Sequence, residues 1–183
     1  PDQSMLYDHF AAIAKSVSIP SMLYNVPART AITIKPDTVI RLSHDVPNIT
    51  MLKDAAGNLD DTTMVIQNAA KGFRVYTGED SLTLPTLAIG GYGVVSVTAH
   101  VAAPQMKCMI EAYLKGDIST AAQIHLSLCA INRALFLQPN PVPVKKALQL
   151  IGFDIGPLRP PLKGASEEVT RALKTALEEL GVL

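Results

Sequence analysis

Apolar residues recur at helical spacing in SMLYDHFAAIAKSV (4–17), which opens on a serine able to cap. SIP breaks the pattern, and SMLYNV (21–26) reads as a short buried strand. KPDTVIRLSHD (35–45) returns to the helical period with Pro36 near its start. The alternation continues with NITMLK (48–53) as strand, NLDDTTMVIQNAAK (58–71) as helix and FRVYTG (73–78) as strand. DSLTLPTLAIG (80–90) then predicts a helix and GVVSVT (93–98) a strand. From APQMKCMIEAYLKG (103–116) onward the pattern is wholly helical, with further runs near 117–137, 141–151 and 166–180. The proline-rich QPNPVP and GPLRPPLKG separate these runs.

Four strands starting near 21, 49, 73 and 93 are spaced as parallel βαβ units are. Two α/β architectures fit. One is a small open parallel sheet with helices on both faces. The other is the second half of a (β/α)8 barrel with an appended helical region. A whole barrel takes about 250 residues, so a chain of 183 would lack four units. A first element that is a helix, with no strand before it, reads as a chain entered midway, and the first residue is Pro rather than Met.

With 48% hydrophobic residues the chain can bury a sizeable core. Its 16 basic and 16 acidic side chains cancel, so there is no electrostatic case for nucleic acid or an anionic membrane surface. No charged residue occurs from Ser81 to Met106, but Pro85, GGYG (90–93) and several Ser and Thr favour a buried helix, turn and strand over a membrane span. The N-terminus shows no basic region followed by an apolar core, and Cys108 and Cys129 sit among apolar residues. Reduced core thiols in a cytoplasmic protein are the expectation.

In either architecture, functional groups gather beyond the carboxyl ends of the strands. Those ends carry Tyr24 and Asn25, Lys53 and Asp54, Thr77 to Asp80, and Ser96 to Thr98. Lys53 closes the apolar run ITML and is followed by DAAG, mostly small residues. Burial favours the neutral amine, which attacks a carbonyl to form a Schiff base. The alternative is a lysine that snorkels to water or pairs with Asp54. Tyr24 would lie beside Lys53 in a parallel sheet, where a phenol relays protons; judged alone it reads first as an amphipathic core tyrosine. Arg29, in the following loop, suits a bidentate grip on a carboxylate, or is an ordinary surface arginine.

Other constellations fail. His9, His44, His100 and His125 show no metal-ligand spacing, and no metal or cofactor is expected. GGYG lies between a helix and a strand, where glycines cap and turn. Ser96, expected inside a strand, lacks the hydrolase elbow.

YNVPART (24–30), LKDAAGN (52–58), TGED (77–80), GGYGVVSVTAHVA (90–102) and NPVPVKKAL (140–148) together resemble the dihydrodipicolinate synthase family, in order and across essentially the whole chain. The resemblance implies a (β/α)8 TIM barrel with a C-terminal helical region. Residues 1–116 would be the second half of the barrel, strands five to eight, and 117–183 the helical region. It further implies that Lys53 forms a Schiff base with pyruvate, that Tyr24 belongs to the proton relay, and that Arg29 binds the carboxylate of aspartate semialdehyde. Val95 would pack against pyruvate, and Gly78 and Glu79 would line the pocket. The family is often tetrameric, so a homo-oligomer is expected.

Four positions depart from the family's usual residues. Ala28 and Ala31 replace glycine or serine, and glycine, around Arg29; Asp54 replaces glutamate; His100 replaces asparagine. The family's paired threonines, its cross-interface tyrosine and its lysine-feedback residues belong to the first barrel half and have no match here. Three functional readings follow. The first is a lyase condensing pyruvate with aspartate semialdehyde towards diaminopimelate and lysine. The second is a related pyruvate aldolase for sialic acid or keto-deoxy sugar acids, from which the carboxylate clamp at Arg29 discriminates. The third is a non-catalytic half-barrel that binds its missing N-terminal half or self-associates through exposed strand edges and an apolar face.

Overall fold

The computed structural model describes residues 1–183, which divide into two compact units, 1–95 and 96–183. This partition follows packing and differs in kind from the division by element type after residue 116.

The first unit opens with α1 (Gln3–Lys15). Its cap is Asp2 rather than Ser4: the Asp2 carboxylate accepts from the Met5 amide at 2.9 Å. Leu6, Ala11 and Ala14 form the buried face of α1. Strand β1 (Ser21–Asn25) follows, then a single helical turn α2 (Pro27–Thr30), then α3 (Pro36–Asp45) with proline at its start. Strand β2 (Ile49–Asp54) leads to α4 (Leu59–Asn68), whose Asn58 cap accepts from the Asp60 and Asp61 amides. Strand β3 (Arg74–Thr77), a 3-10 turn at Asp80–Leu82, α5 (Thr83–Ala88) and β4 (Gly93–Val94) complete the unit.

The four strands form one parallel sheet in the order β1-β2-β3-β4. Side chains alternate across it. Leu23, Leu52 and Val75 are register neighbours, and they pack into a core with Ala14, Val39, Leu42, Val46 and Val65 from the helices. The opposite face is more open, with Met22, Tyr24 and Val95 exposed and Met51 half-buried. Asn48 pins α1 to the start of β2 by donating its side-chain amide to the Ala14 carbonyl at 2.6 Å and to that of Val17 at 3.1 Å.

β4 is shorter than the pattern of β-branched residues predicts. Ser96 lies past the strand, not inside it. Its hydroxyl accepts from the Ala99 amide at 2.7 Å, and this side chain–backbone bond starts a helical turn where the ladder would continue.

The second unit is helical. It comprises α6 (Ala99–Leu114), α7 (Ile118–Ser127), α8 (Cys129–Ala134), α9 (Val142–Leu150) and α10 (Glu167–Glu179). α6 begins four residues earlier than expected and breaks at Ala102 (φ −136°, ψ 35°), two residues ahead of Pro104, which has no N–H to donate to the His100 carbonyl one turn back. Asp117 and Ser166 cap α7 and α10 by accepting from the Thr120 and Val169 amides. Met109, Leu128, Ile131, Leu135, Leu173 and Leu177 are buried. Cys108 is exposed on α6, not a core thiol: Met106 and Met109 take the buried face of that helix and turn the cysteine outward. Cys129 is half-buried, and both thiols are free. No helix is long and apolar enough to cross a membrane.

Candidate active site

Three strands end in the same way. Tyr24, Lys53 and Tyr76 are partners in register, and the next residues, Asn25, Asp54 and Thr77, are partners in register one step on. Because a strand alternates its side chains, the two rows lie on opposite faces. Asn25, Asp54 and Thr77 are buried on the helix side, whereas Tyr24 is exposed and Lys53 and Tyr76 are half-buried.

In the open row, the Lys53 Nζ lies 4.1 Å from the centroid of the Tyr24 ring, a cation–π contact. On the other side of Lys53, the Tyr76 ring packs against Tyr92 with centroids 5.2 Å apart, and the Arg74 guanidinium lies 4.6 Å from the centre of the Tyr92 ring. The lysine is therefore flanked along the sheet by two tyrosines.

The covered row explains why Lys53 does not pair with Asp54. The Asp54 carboxylate accepts from the Thr62 hydroxyl at 2.8 Å, the Ala56 amide at 3.1 Å and the Asn25 side-chain amide at 3.2 Å. It faces α4 and β1, away from the row that carries Lys53.

The loop after β3 closes on Lys53. The Gly78 amide donates to the Asp54 carbonyl at 2.6 Å. A Cβ on Gly78 would stand 2.9 Å from the Lys53 Cε and 2.8 Å from the Ala55 Cβ, so glycine is required for space. Thr77 folds its hydroxyl back to accept from the Glu79 amide at 3.0 Å. Burial pushes the Glu79 carboxyl above the ordinary carboxylate range, the neighbouring Asp80 charge adds to the rise, and the Lys53 ammonium opposes it.

Lys53, Tyr24, Gly78 and Glu79 thus form one group. Arg29 and Val95 follow β1 and β4, the two edge strands of the sheet. Arg29 is exposed on α2, in the loop after β1. That loop is closed by the Thr30 hydroxyl, which donates to the Val26 carbonyl at 3.1 Å, and by the Ile34 amide, which donates to the Asn25 Oδ1 at 3.0 Å. Val95 is held just past β4 by its amide, which donates to the Thr77 carbonyl at 2.9 Å. Sequence reasoning passed over Tyr76 and the support given by Asn25 and Thr62. The available signal was the repeated doublet at strand ends, YN, KD and YT, a chemical residue on the open face followed by a buried polar one.

This arrangement can hold an amine against a phenol at the mouth of a parallel sheet, with an acid on one side and a guanidinium on a neighbouring loop. The sequence model of the dihydrodipicolinate synthetase family matches residues 1–180. The chain is 46% identical over 183 residues to a 4-hydroxy-tetrahydrodipicolinate synthase of Moorella thermoacetica, covering all of this chain and 62% of that relative. Among solved structures, dihydrodipicolinate synthase from Cyanidioschyzon merolae with lysine bound superposes with a TM-score of 0.97 at 39% identity, over 100% of this chain and 62% of that one. The chloride-inhibited enzyme from Acinetobacter baumannii complexed with pyruvate gives 0.94 at 33% identity, with the same coverage. The chain spans about 62% of the length of the relatives it matches.

Proposed function

The chain belongs to the dihydrodipicolinate synthetase family, and from that premise we propose that the protein carrying it is a lyase that condenses pyruvate with aspartate semialdehyde to 4-hydroxy-tetrahydrodipicolinate. The observation that carries the assignment to this site is the pairing of Lys53 with Tyr24, the amine 4.1 Å from the phenol ring at the ends of adjacent parallel strands.

In this reading the neutral Lys53 amine adds to the pyruvate ketone to give a carbinolamine. Tyr24 delivers the proton with which the hydroxyl leaves as water, producing an imine. Loss of a methyl proton from the imine gives the enamine, which attacks the aldehyde carbon of the second substrate. The new alkoxide takes up a proton, and the amino group of that substrate then displaces Lys53 from the imine, closing the ring and regenerating the lysine. Arg29 grips the carboxylate of the semialdehyde and so lowers the entropic part of the barrier. Gly78 leaves room for the lysine stem, and Glu79 and Val95 border the substrate.

Two further assignments go with this reading. The four strands are strands five to eight of a closed (β/α)8 barrel, whose other strands would cover the open face bearing Met22, Tyr24 and Met51 and would pair with β1 and β4, the two edges of the sheet. The protein is a cytoplasmic homo-oligomer, tetrameric by the same family resemblance.

Borohydride reduction in the presence of pyruvate, applied to the full gene product and read by peptide mass spectrometry, tests the nucleophile. The expected result is one reduced pyruvate on Lys53. An unmodified Lys53 in the folded protein overturns the reading. Turnover of aspartate semialdehyde in preference to sugar-acid aldehydes tests the second substrate.

A further inference from the structure

Asn25 and Asp54 each follow a proposed site residue directly, and they meet across the β1–β2 pair behind the reacting face. Asp54 is only 6% exposed and Asn25 5%, and three hydrogen-bond donors satisfy the carboxylate without a cation. Asn25 uses both ends of its amide. The Nδ2 donates to Asp54, on the strand of Lys53, and the Oδ1 accepts from the Ile34 amide, which closes the loop carrying Arg29. Thr62 fastens the same carboxylate to α4. One hydrogen-bonded chain, Thr62–Asp54–Asn25–Ile34, therefore links the backbones that present Lys53, Tyr24 and Arg29.

We propose that Asn25 and Asp54 are a positioning pair that sets the reacting group of this site. Through its two bonds Asn25 fixes the strand offset that puts Lys53 against Tyr24 and the loop that aims Arg29, while Asp54 holds Asn25 and the end of β2 against α4. The inference rests on the lyase reading above. Neither residue faces the substrate; both act through the residue or loop they hold. Peptide units alone hold a parallel ladder, as the Ala55 amide does by donating to the Asn25 carbonyl at 2.8 Å. The side-chain pair adds an orientation that the ladder does not supply. A displacement of about 1 Å at a reacting centre costs on the order of 100-fold in rate, which sets the scale of the expected effect.

The experiment measures the rate of borohydride-trapped adduct formation at saturating pyruvate, and the KM for aspartate semialdehyde, in the full gene product. Wild type must first label Lys53; if it does not, the lyase reading fails and not this inference. Asp54→Ala is expected to slow trapping roughly 10- to 100-fold while circular dichroism at 25 °C remains that of the folded protein. Asp54→Asn, whose amide keeps the acceptor for Ala56 and Asn25 and can donate to the Thr62 oxygen, is expected to restore trapping to within a few-fold of wild type. Asn25→Ala is expected to slow trapping and also to raise the KM for the semialdehyde, because it frees the Arg29 loop. The double variant should be no slower than the slower single, since the two act as one unit. Should Asp54→Ala not fold, Asn25→Ser carries the same two measurements. A folded Asp54→Ala or Asn25→Ser that traps pyruvate at the wild-type rate overturns the proposal, and so does a double variant whose losses multiply.

Discussion

The Nζ of Lys53 sits 4.1 Å from the centre of the Tyr24 ring, and the two residues are direct partners in the β1–β2 ladder. The ring therefore has two separable roles: its face holds the ammonium, and its hydroxyl is available for proton transfer. Phenylalanine keeps the first and removes the second. Tyr24→Phe should still give the reduced pyruvate adduct on Lys53, only more slowly, because imine formation loses its proton donor, and steady-state turnover should fall by about 10² or more, the lower end of what a positioned acid–base group supplies. Tyr24→Ala should lose both. If Tyr24→Phe turns over at the wild-type rate, the hydroxyl is not the proton carrier.

Gly78 gives a steric test of the same lysine. Its φ is not positive, so the glycine is not there for backbone freedom. A methyl group would stand 2.9 Å from the Lys53 Cε and 2.8 Å from the Ala55 Cβ. The lysine stem is flexible, whereas Ala55 is fixed by the hydrogen bond its amide donates to the Asn25 carbonyl. Gly78→Ala should therefore fold with a loss of about 1–3 kcal/mol, typical of overpacking. It should slow trapping on the order of 10- to 100-fold by displacing the amine. Unchanged trapping would mean that Lys53 reacts from a conformer directed away from Gly78.

How much of this was legible in the sequence depended on whether a feature was local. The α/β alternation, the parallel strand starts and the lysine at a strand mouth come from period and position, and β1, β2 and β3 begin within a residue of where the pattern places them. The four-residue α2 was not legible, because one turn has no period to detect. β4 was read too long, since VVSVT has strand composition while Ser96 is already bonded to the Ala99 amide. In the site, Tyr24 beside Lys53 followed from parallel register alone. The Asp54 network did not, because its partners lie 29 residues back and eight residues on, and only the tertiary fold brings them together.

Ala31 marks a local strain next to Arg29. It closes α2 with φ 56°, and it is the only non-glycine residue of the chain at positive φ. A left-handed alanine costs roughly 1–2 kcal/mol through its Cβ, whereas glycine carries no such penalty and loses part of the gain to the greater freedom of the unfolded chain. Ala31→Gly should stabilise the protein by up to about 1 kcal/mol, read as a higher denaturant midpoint with unchanged m-value. A destabilised variant would mean that the Ala31 methyl makes contacts worth more than the strain.

Glu79 makes the site sensitive to pH in a defined direction. Its carboxyl is raised by burial first and by Asp80 second, with Lys53 opposing. A raised folded-state carboxyl holds its proton to higher pH than the unfolded chain does, so this group lowers stability as pH climbs from the ordinary glutamate range, about 4.3, through the raised value. Below that range both states are protonated and the cost vanishes. Glu79→Gln should therefore be more stable than wild type at neutral pH, with the difference closing as pH falls below about 4. Converting Lys53 to Met removes the one opposing charge, so the carboxyl should titrate higher still, and the window of lost stability should widen upward. Chemical denaturation of wild type, Glu79→Gln and Lys53→Met across pH 3 to 8 measures all three. A Glu79→Gln difference that is flat with pH would show that the side chain acts by packing and not by its charge. A Lys53→Met curve identical in shape to wild type would separate Glu79 from the lysine it is placed beside.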